Sequence, residues 1–136
     1  MAETFPVVIH HNPDCGTSRN ALAMIEAAGY APTVIEYLKT GWTKPQLQAL
    51  LAVMDARPRD VLREKGTPAA ELGLLNEAVT DDVLLDAMVA HPILVNRPIV
   101  ATPKGVKLCR PSEVVLELLD SRPSSFMKED GEVVKL

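Results

Sequence analysis

The opening of this chain constrains its fold more than any other stretch. Phe5 to His11 begin with an apolar, β-branched run, Val7-Val8-Ile9, and read as a buried strand. Asn12-Pro13-Asp14-Cys15-Gly16 is turn chemistry, and Ser18 stands where it can cap a following helix. Ala21, Leu22, Ile25 and Ala28 then share one helical face, and Gly29 supplies a stop. Thr33 to Leu38 read as a second strand. Strand, helix and strand in so short a span make a βαβ unit, whose strands must lie parallel.

The middle of the chain is helical. Leu47, Leu50, Leu51 and Met54 form one amphipathic stripe, and Pro58 opens a short helix expected to end before Gly66. Thr80, Asp81 and Asp82 mark a helix start, Leu84, Leu85, Met88 and Val89 its apolar side, and Pro92 its end. Ile99 to Thr102 and Val106 to Cys109 flank Pro103-Lys104-Gly105, which predicts an antiparallel hairpin. Pro111-Ser112-Glu113 opens a last helix carrying Val114, Val115, Leu118 and Leu119. The order βαβ, helical insert, ββα is an α/β, thioredoxin-like layout with a mixed sheet. One domain is expected over 1–136, with an all-helical insertion at about 41–91 and a polar, loosely held tail at about 120–136. Trp42 and the Thr40-Gly41 turn mark the start of the insertion.

Charge and cysteine content narrow the function. Fourteen Lys plus Arg against 18 Asp plus Glu leave a net charge of −4, which argues against nucleic acid or an anionic membrane as partner. No apolar stretch has the length of a membrane span, and no secretory signal is visible. Two cysteines are too few for a disulfide framework or a cysteine-only zinc site. His10, His11 and Cys15 lack zinc spacing, so no metal is expected. The expectation is a cytoplasmic monomer, where thiols stay reduced.

Cys15 is the residue most suited to chemistry. It follows a strand and a Pro-containing turn and precedes a helix, where unpaired N–H groups and the dipole favour a thiolate. The competing reading is an inert, buried cysteine, but the polar turn around it is not core composition. His11 can add charge or a hydrogen bond, whereas the neighbouring Asp14 carboxylate opposes the thiolate. Ser18 stands where a Cys-x-x-Cys dithiol would have its second sulfur, so a local disulfide is impossible. The phosphatase loop pattern also fails, because Ala21 holds the place of its arginine. Gly16, Thr17, Ser18 and Arg19 can still present a nest of backbone donors to an oxyanion.

Arginines are the natural complement. Arg97 and Arg110 each directly precede a proline at an element boundary, and Arg59 and Arg63 lie four apart on one face of the short middle helix. Guanidinium forks match tetrahedral oxyanions, although a single arginine is more often a solvated surface charge. Pro98 precedes a strand where thioredoxin-like folds place a cis proline. His10 faces either the core or the site, His91 caps a helix C-terminus, and Cys109 reads as a packed small hydrophobe rather than a resolving thiol.

Three blocks of sequence resemble the glutaredoxin-coupled arsenate reductases. They are His11-Asn12-Pro13-Asp14-Cys15-Gly16-Thr17-Ser18-Arg19-Asn20, His91 to Val100, and Leu108-Cys109-Arg110-Pro111-Ser112-Glu113-Val114-Val115-Leu116. Glu71-Leu72-Gly73-Leu74 and Thr80-Asp81-Asp82 are similar to that family as well. The likeness spans about residues 7–119 in matching order, with Asp14 where a small residue is familiar. It implies reduction of arsenate to arsenite, with Cys15 as nucleophile and His11 assisting its ionisation. It also implies Arg63, Arg97 and Arg110 on the oxyanion, Gly16, Thr17 and Ser18 holding thiolate and anion, and Pro98 as the cis proline. No tightly bound cofactor is implied; glutathione enters as co-substrate and glutaredoxin as partner. Two other readings share the fold: an Spx-like redox adapter, which typically needs the Cys-x-x-Cys absent here, and a monothiol thioltransferase, which needs a glutathione groove rather than anion-binding arginines.

Overall fold

A computed structural model describes residues 5–121, 125–127 and 133–135. The chain forms two compact units, one from residues 1–36 and 97–136, the other from Tyr37–Asn96. In the first unit, β1 (Val8–His11) leads through the turn into α1 (Gly16–Ala27) and β2 (Thr33–Glu36). After the second unit come β3 (Ile99–Thr102), β4 (Gly105–Leu108) and a 3₁₀ helix over Ser112–Leu118. The four strands form one sheet in the order β2-β1-β3-β4. The β1–β2 pair is parallel, as the βαβ reading requires, and β3 lies antiparallel to both β1 and β4. This is the mixed, thioredoxin-like sheet expected from the element order.

One face of that sheet is packed. Val7, Ile9 and Val100 meet Ala21, Met24 and Ile25 of α1, together with Val115, Leu116, Leu118 and Leu119, in one buried cluster. Gly29 takes φ +98, a left-handed conformation that other residues adopt at a cost, and ends α1. Tyr30 stacks on Phe5 at 5.3 Å, and its hydroxyl accepts the Asp120 and Ser121 N–H groups at 3.0 Å, tying the chain after the 3₁₀ helix to the end of α1.

The second unit contains α2 (Tyr37–Thr40), α3 (Lys44–Met54), a 3₁₀ turn (Pro58–Val61), α4 (Asp81–Ala90) and a further 3₁₀ turn (Pro92–Leu94). Thr43 opens α3 with a capping box shared with Gln46, and the Thr80 side chain accepts the Val83 N–H at the start of α4. Leu47, Leu51, Leu84, Leu85 and Met88 are buried, and Trp42 stacks on Tyr37 at 5.1 Å. None of the described helices is long and apolar enough to cross a membrane.

Several local expectations change. The strand read over Thr33–Leu38 ends at Glu36, because Tyr37 turns into α2. The helix read from Pro58 to Gly66 is a single 3₁₀ turn that stops at Val61, since Arg63 N–H pairs with Leu94 O and Leu62 bridges Val95. Arg59 and Arg63 therefore do not share a helical face. The last helix is wound as 3₁₀; the adjacent β-branched Val114 and Val115 are poor α-helix formers. Within the polar tail, Ser125–Met127 pairs antiparallel with Val133–Lys135 as β5 and β6, while 122–124, 128–132 and 136 lie outside the described residues.

His10 settles on the buried side of the alternatives read from sequence. It sits between Ile35 and Ile99 in the sheet, and burial pulls its pKa from 6.5 down to about 4. A base whose folded pKa is depressed contributes stability that is complete above its unfolded value and lost as pH falls through the folded one. Stability should thus decline between pH 6.5 and about 4. Urea midpoints measured at pH 7 and pH 4.5 should fall more steeply for the wild type than for His10→Gln, which has no proton to take up.

Candidate active site

The site begins where β1 ends. Asn12 to Cys15 turn the chain into α1, and Cys15 occupies the N-cap position with extended backbone, φ −107 and ψ 120. The helix starts three residues earlier than a Ser18 cap would set it. Ser18 lies inside the first turn, fully buried, and caps nothing with its side chain. Its hydroxyl instead lies 2.6 Å from His11 Nδ1 and accepts the Asn12 N–H at 3.1 Å. The sequence signal for a cap and for this internal bond is the same serine after a turn, so the two were indistinguishable before the turn's length was known.

The Ser18 backbone N–H is spent on the Cys15 sulfur. An N–H at this position in a helix has no intrahelical acceptor, so the sulfur takes the place of a carbonyl. Gly16 and Thr17 carry the two preceding N–H groups of the same turn.

Sheet pairing brings the arginines to the same place. His10 faces Ile99 across the β1–β3 ladder, so the residues just after β1 lie beside those just before β3. Arg97 and Pro98 occupy that position, joined by a cis peptide bond, and the Arg97 side chain is buried. The Cys109 N–H donates to Pro98 O at 2.9 Å, which delivers Arg110 to the same end of the sheet. Arg110 Nη1 donates to Arg97 O at 2.9 Å and lies 3.7 Å from Cys15 Sγ. The Arg110–Pro111 bond is cis as well, a second instance that the sequence reading did not anticipate.

These neighbours decide the state of the sulfur. Burial pushes the Cys15 thiol upward, but the Ser18 N–H, hydrogen bonds from the Arg97 and Arg110 side chains, and the Arg97 charge outweigh it and leave the pKa at about 7. Asp14 is exposed, where water screens its carboxylate. Of the two roles open to His11, charge or hydrogen bond, the hydrogen bond is the one present. Burial, with Arg19 adding to it, lowers its pKa against the pull of Glu36, so at neutral pH it carries no charge to lend. Its link to Cys15 runs through Ser18. Cys109 is wholly buried in the core cluster and pushed up to about 12, the inert thiol read from sequence.

The remaining arginines belong to the second unit. Arg59 donates to the carbonyls of Leu74, Asn76 and Val79, so it braces the loop ahead of α4. Arg63 donates from Nε to Lys65 O at 3.1 Å and from Nη1 to Asn96 Oδ1 at 3.4 Å. His91 sits at the C-cap of α4, where its backbone N–H, not its ring, closes the helix on Ala87 O.

A family model described as the ArsC family matches residues 10–118. The chain belongs to the ArsC family. Among ArsC relatives, arsenate reductase ArsI2 of Synechocystis sp. is 69% identical over 129 residues, covering 94% of this chain and 92% of that protein. The arsenate reductase of Escherichia coli K12 is 54% identical over the same length and coverage. A solved arsenate reductase from Vibrio cholerae superposes with a TM-score of 0.81 at 40% identity, covering 86% of this chain and all of the other. The ArsC match takes in Cys15, Arg97 and Arg110 together.

A thiol at about pKa 7 is half ionised at neutrality. The rate of Cys15 alkylation by iodoacetamide should follow a single titration near pH 7, rising with pH, with Cys109 silent. Arg110→Ala should move that midpoint upward; a wild-type midpoint above 9 would contradict the electrostatic picture.

Proposed function

We propose that this protein reduces arsenate to arsenite, with Cys15 as nucleophile and glutathione and glutaredoxin as reductants. The observation that carries the reading is the Cys15 sulfur at the start of α1, with Arg110 Nη1 3.7 Å away and the Arg97 and Ser18 donors drawing its pKa down to about 7. Its relatives' names as arsenate reductases support it at high identity. The protein acts as a cytoplasmic monomer, in surroundings that keep Cys15 reduced.

Arsenate enters as a tetrahedral anion. Arg97 and Arg110 neutralise it, and the N–H groups of Gly16 and Thr17 at the start of α1 meet its oxygens. The family pattern adds Arg63 as a third arginine on the oxyanion. The Cys15 thiolate attacks arsenic, and an arsenate oxygen leaves as water after taking up protons, giving a sulfur–arsenic bond. The arginines stabilise the charge that moves onto the remaining oxygens. His11, neutral, supports ionisation indirectly by holding Ser18 in place, and Pro98 sets the backbone beside the sulfur.

Electron balance explains the single cysteine. Arsenic(V) must gain two electrons to become arsenic(III). Arsenate and two thiols yield arsenite, one disulfide and water, so two sulfurs supply those electrons. Cys15 is one sulfur and glutathione the other. The mixed disulfide left on Cys15 is then cleared by exchange with glutaredoxin. A Cys-x-x-Cys pair would be redundant in this scheme.

The test is NADPH oxidation in the presence of glutaredoxin, glutathione and glutathione reductase, with and without arsenate. An arsenate-dependent rate is expected, and its absence would overturn the reading. Cys15→Ser should abolish turnover while leaving the melting temperature unchanged. Arg97→Ala and Arg110→Ala should each raise the arsenate KM roughly tenfold or more, the cost of a lost charge-assisted bond. Arg63→Ala should do the same. Arg57→Ala, which loses only an exposed 2.9 Å pair with Asp81, should change it little.

A further inference from the structure

The loop that carries Cys15 has no regular secondary structure, yet its backbone donors are all accounted for. The Asn12 N–H goes to Ser18 Oγ at 3.1 Å. Pro13 has no N–H. The Asp14 N–H goes to Asn12 Oδ1 at 2.9 Å, and the Cys15 N–H goes to Asn12 O at 3.1 Å. Every donor from residue 12 to residue 15 is therefore given by Asn12 or received by it. Asn12 is itself almost wholly buried, although Pro13 and Asp14 beside it are exposed. A buried amide with no bonding task would be costly, so its place in the loop calls for one.

We infer that Asn12 is a positioning residue for Cys15, its side-chain oxygen holding the turn that aims the sulfur at the Ser18 N–H and the Arg110 guanidinium. The inference rests on Cys15 being the nucleophile proposed above. Three geometric facts support it. The side-chain bond to Asp14 closes an Asx turn across Pro13, a position whose ring already restricts Asn12 to extended backbone. The main-chain bond to Cys15 places the N-cap residue directly. The bond from Asn12 N–H to the Ser18 hydroxyl, which also meets His11, ties the same residue to the helix turn whose N–H reaches the sulfur.

The choice of asparagine has a chemical reason. Aspartate would offer the same acceptor but would bring a second negative charge to a sulfur that must ionise. Serine is neutral and can accept from a residue two places on, but its reach is shorter. Alanine has no acceptor at all. The orientation of the amide follows from its partner, since only the oxygen can receive the Asp14 N–H.

Two measurements on Asn12→Ala and Asn12→Ser test this: the pH midpoint of Cys15 alkylation and the hydrogen-exchange protection of the Asp14 amide. In Asn12→Ala the Asp14 amide should lose protection, and the midpoint should rise by about one pH unit as the donors to the thiolate fall out of line. The serine variant should restore both in part. A structural role alone would lower the melting temperature and leave the midpoint where it is. A variant that loses Asp14 protection while keeping the wild-type midpoint overturns the inference, and one in which both move together supports it. If Asn12→Ala does not fold, Asn12→Ser is judged by the same rule. Neither measurement uses arsenate, so loss of the inferred role would leave the proposed activity standing, and absence of arsenate turnover would leave this result standing.

Discussion

An ionisable sulfur held against a helix N-terminus is the contact on which the first unit's chemistry depends. Left to burial alone, Cys15 would be a neutral thiol, as Cys109 is in the same unit. The difference lies in donors. Cys109 is enclosed by aliphatic side chains, whereas Cys15 meets one backbone N–H and two guanidinium groups. Withdrawal from water works in both directions: it penalises an unpaired charge and strengthens a paired one. The two cysteines show both outcomes in one small protein.

The sheet's task is to bring those donors together from separated parts of the chain. Arg110 follows Cys15 by ninety-five residues. Antiparallel pairing of β1 with β3 and of β3 with β4 places the turn after β1, the Arg97-Pro98 step and the Arg110-Pro111 step at one end of the sheet. An acidic chain with net charge −4 thereby acquires a locally cationic site. Overall charge governs long-range encounters; the chemistry is governed by what lies within a few ångströms.

The parts that were legible in the sequence share a short-range cause. The parallel βαβ opening could be read because period and turn residues are local. The β3–β4 hairpin followed from Pro103-Lys104-Gly105, and the cap of α4 from Thr80. Cys15 stood out because a strand, a turn and a helix start adjoin it. What was misread also has a cause. Ser18 at a helix start has two partners in reach, a nearby backbone N–H or a neighbouring side chain, and burial against His11 decided between them. Arg59 and Arg63 were placed on one face by assuming 3.6 residues per turn, but the helix stops at Val61 because Leu62 bridges Val95, with Arg63 N–H on Leu94 O and Asn96 N–H on Val61 O, and this pairing draws the chain away. Asn12 was read only as part of a turn, because a turn residue looks alike whether or not a reactive atom follows it.

What the sequence determined alone was the order of the four sheet strands and of the helices α1, α3 and α4, and the thiol best placed to react, since hydrophobic period, turn chemistry and helix ends act over a few residues. What only the tertiary structure decided was the state of that thiol. The ionisation of Cys15 depends on burial and on hydrogen bonds from Arg97 and Arg110, and the neutrality of His11 on burial with the nearby Arg19 charge. Those interactions vary steeply with distance, and distances between residues far apart in the chain exist only once the strands have paired.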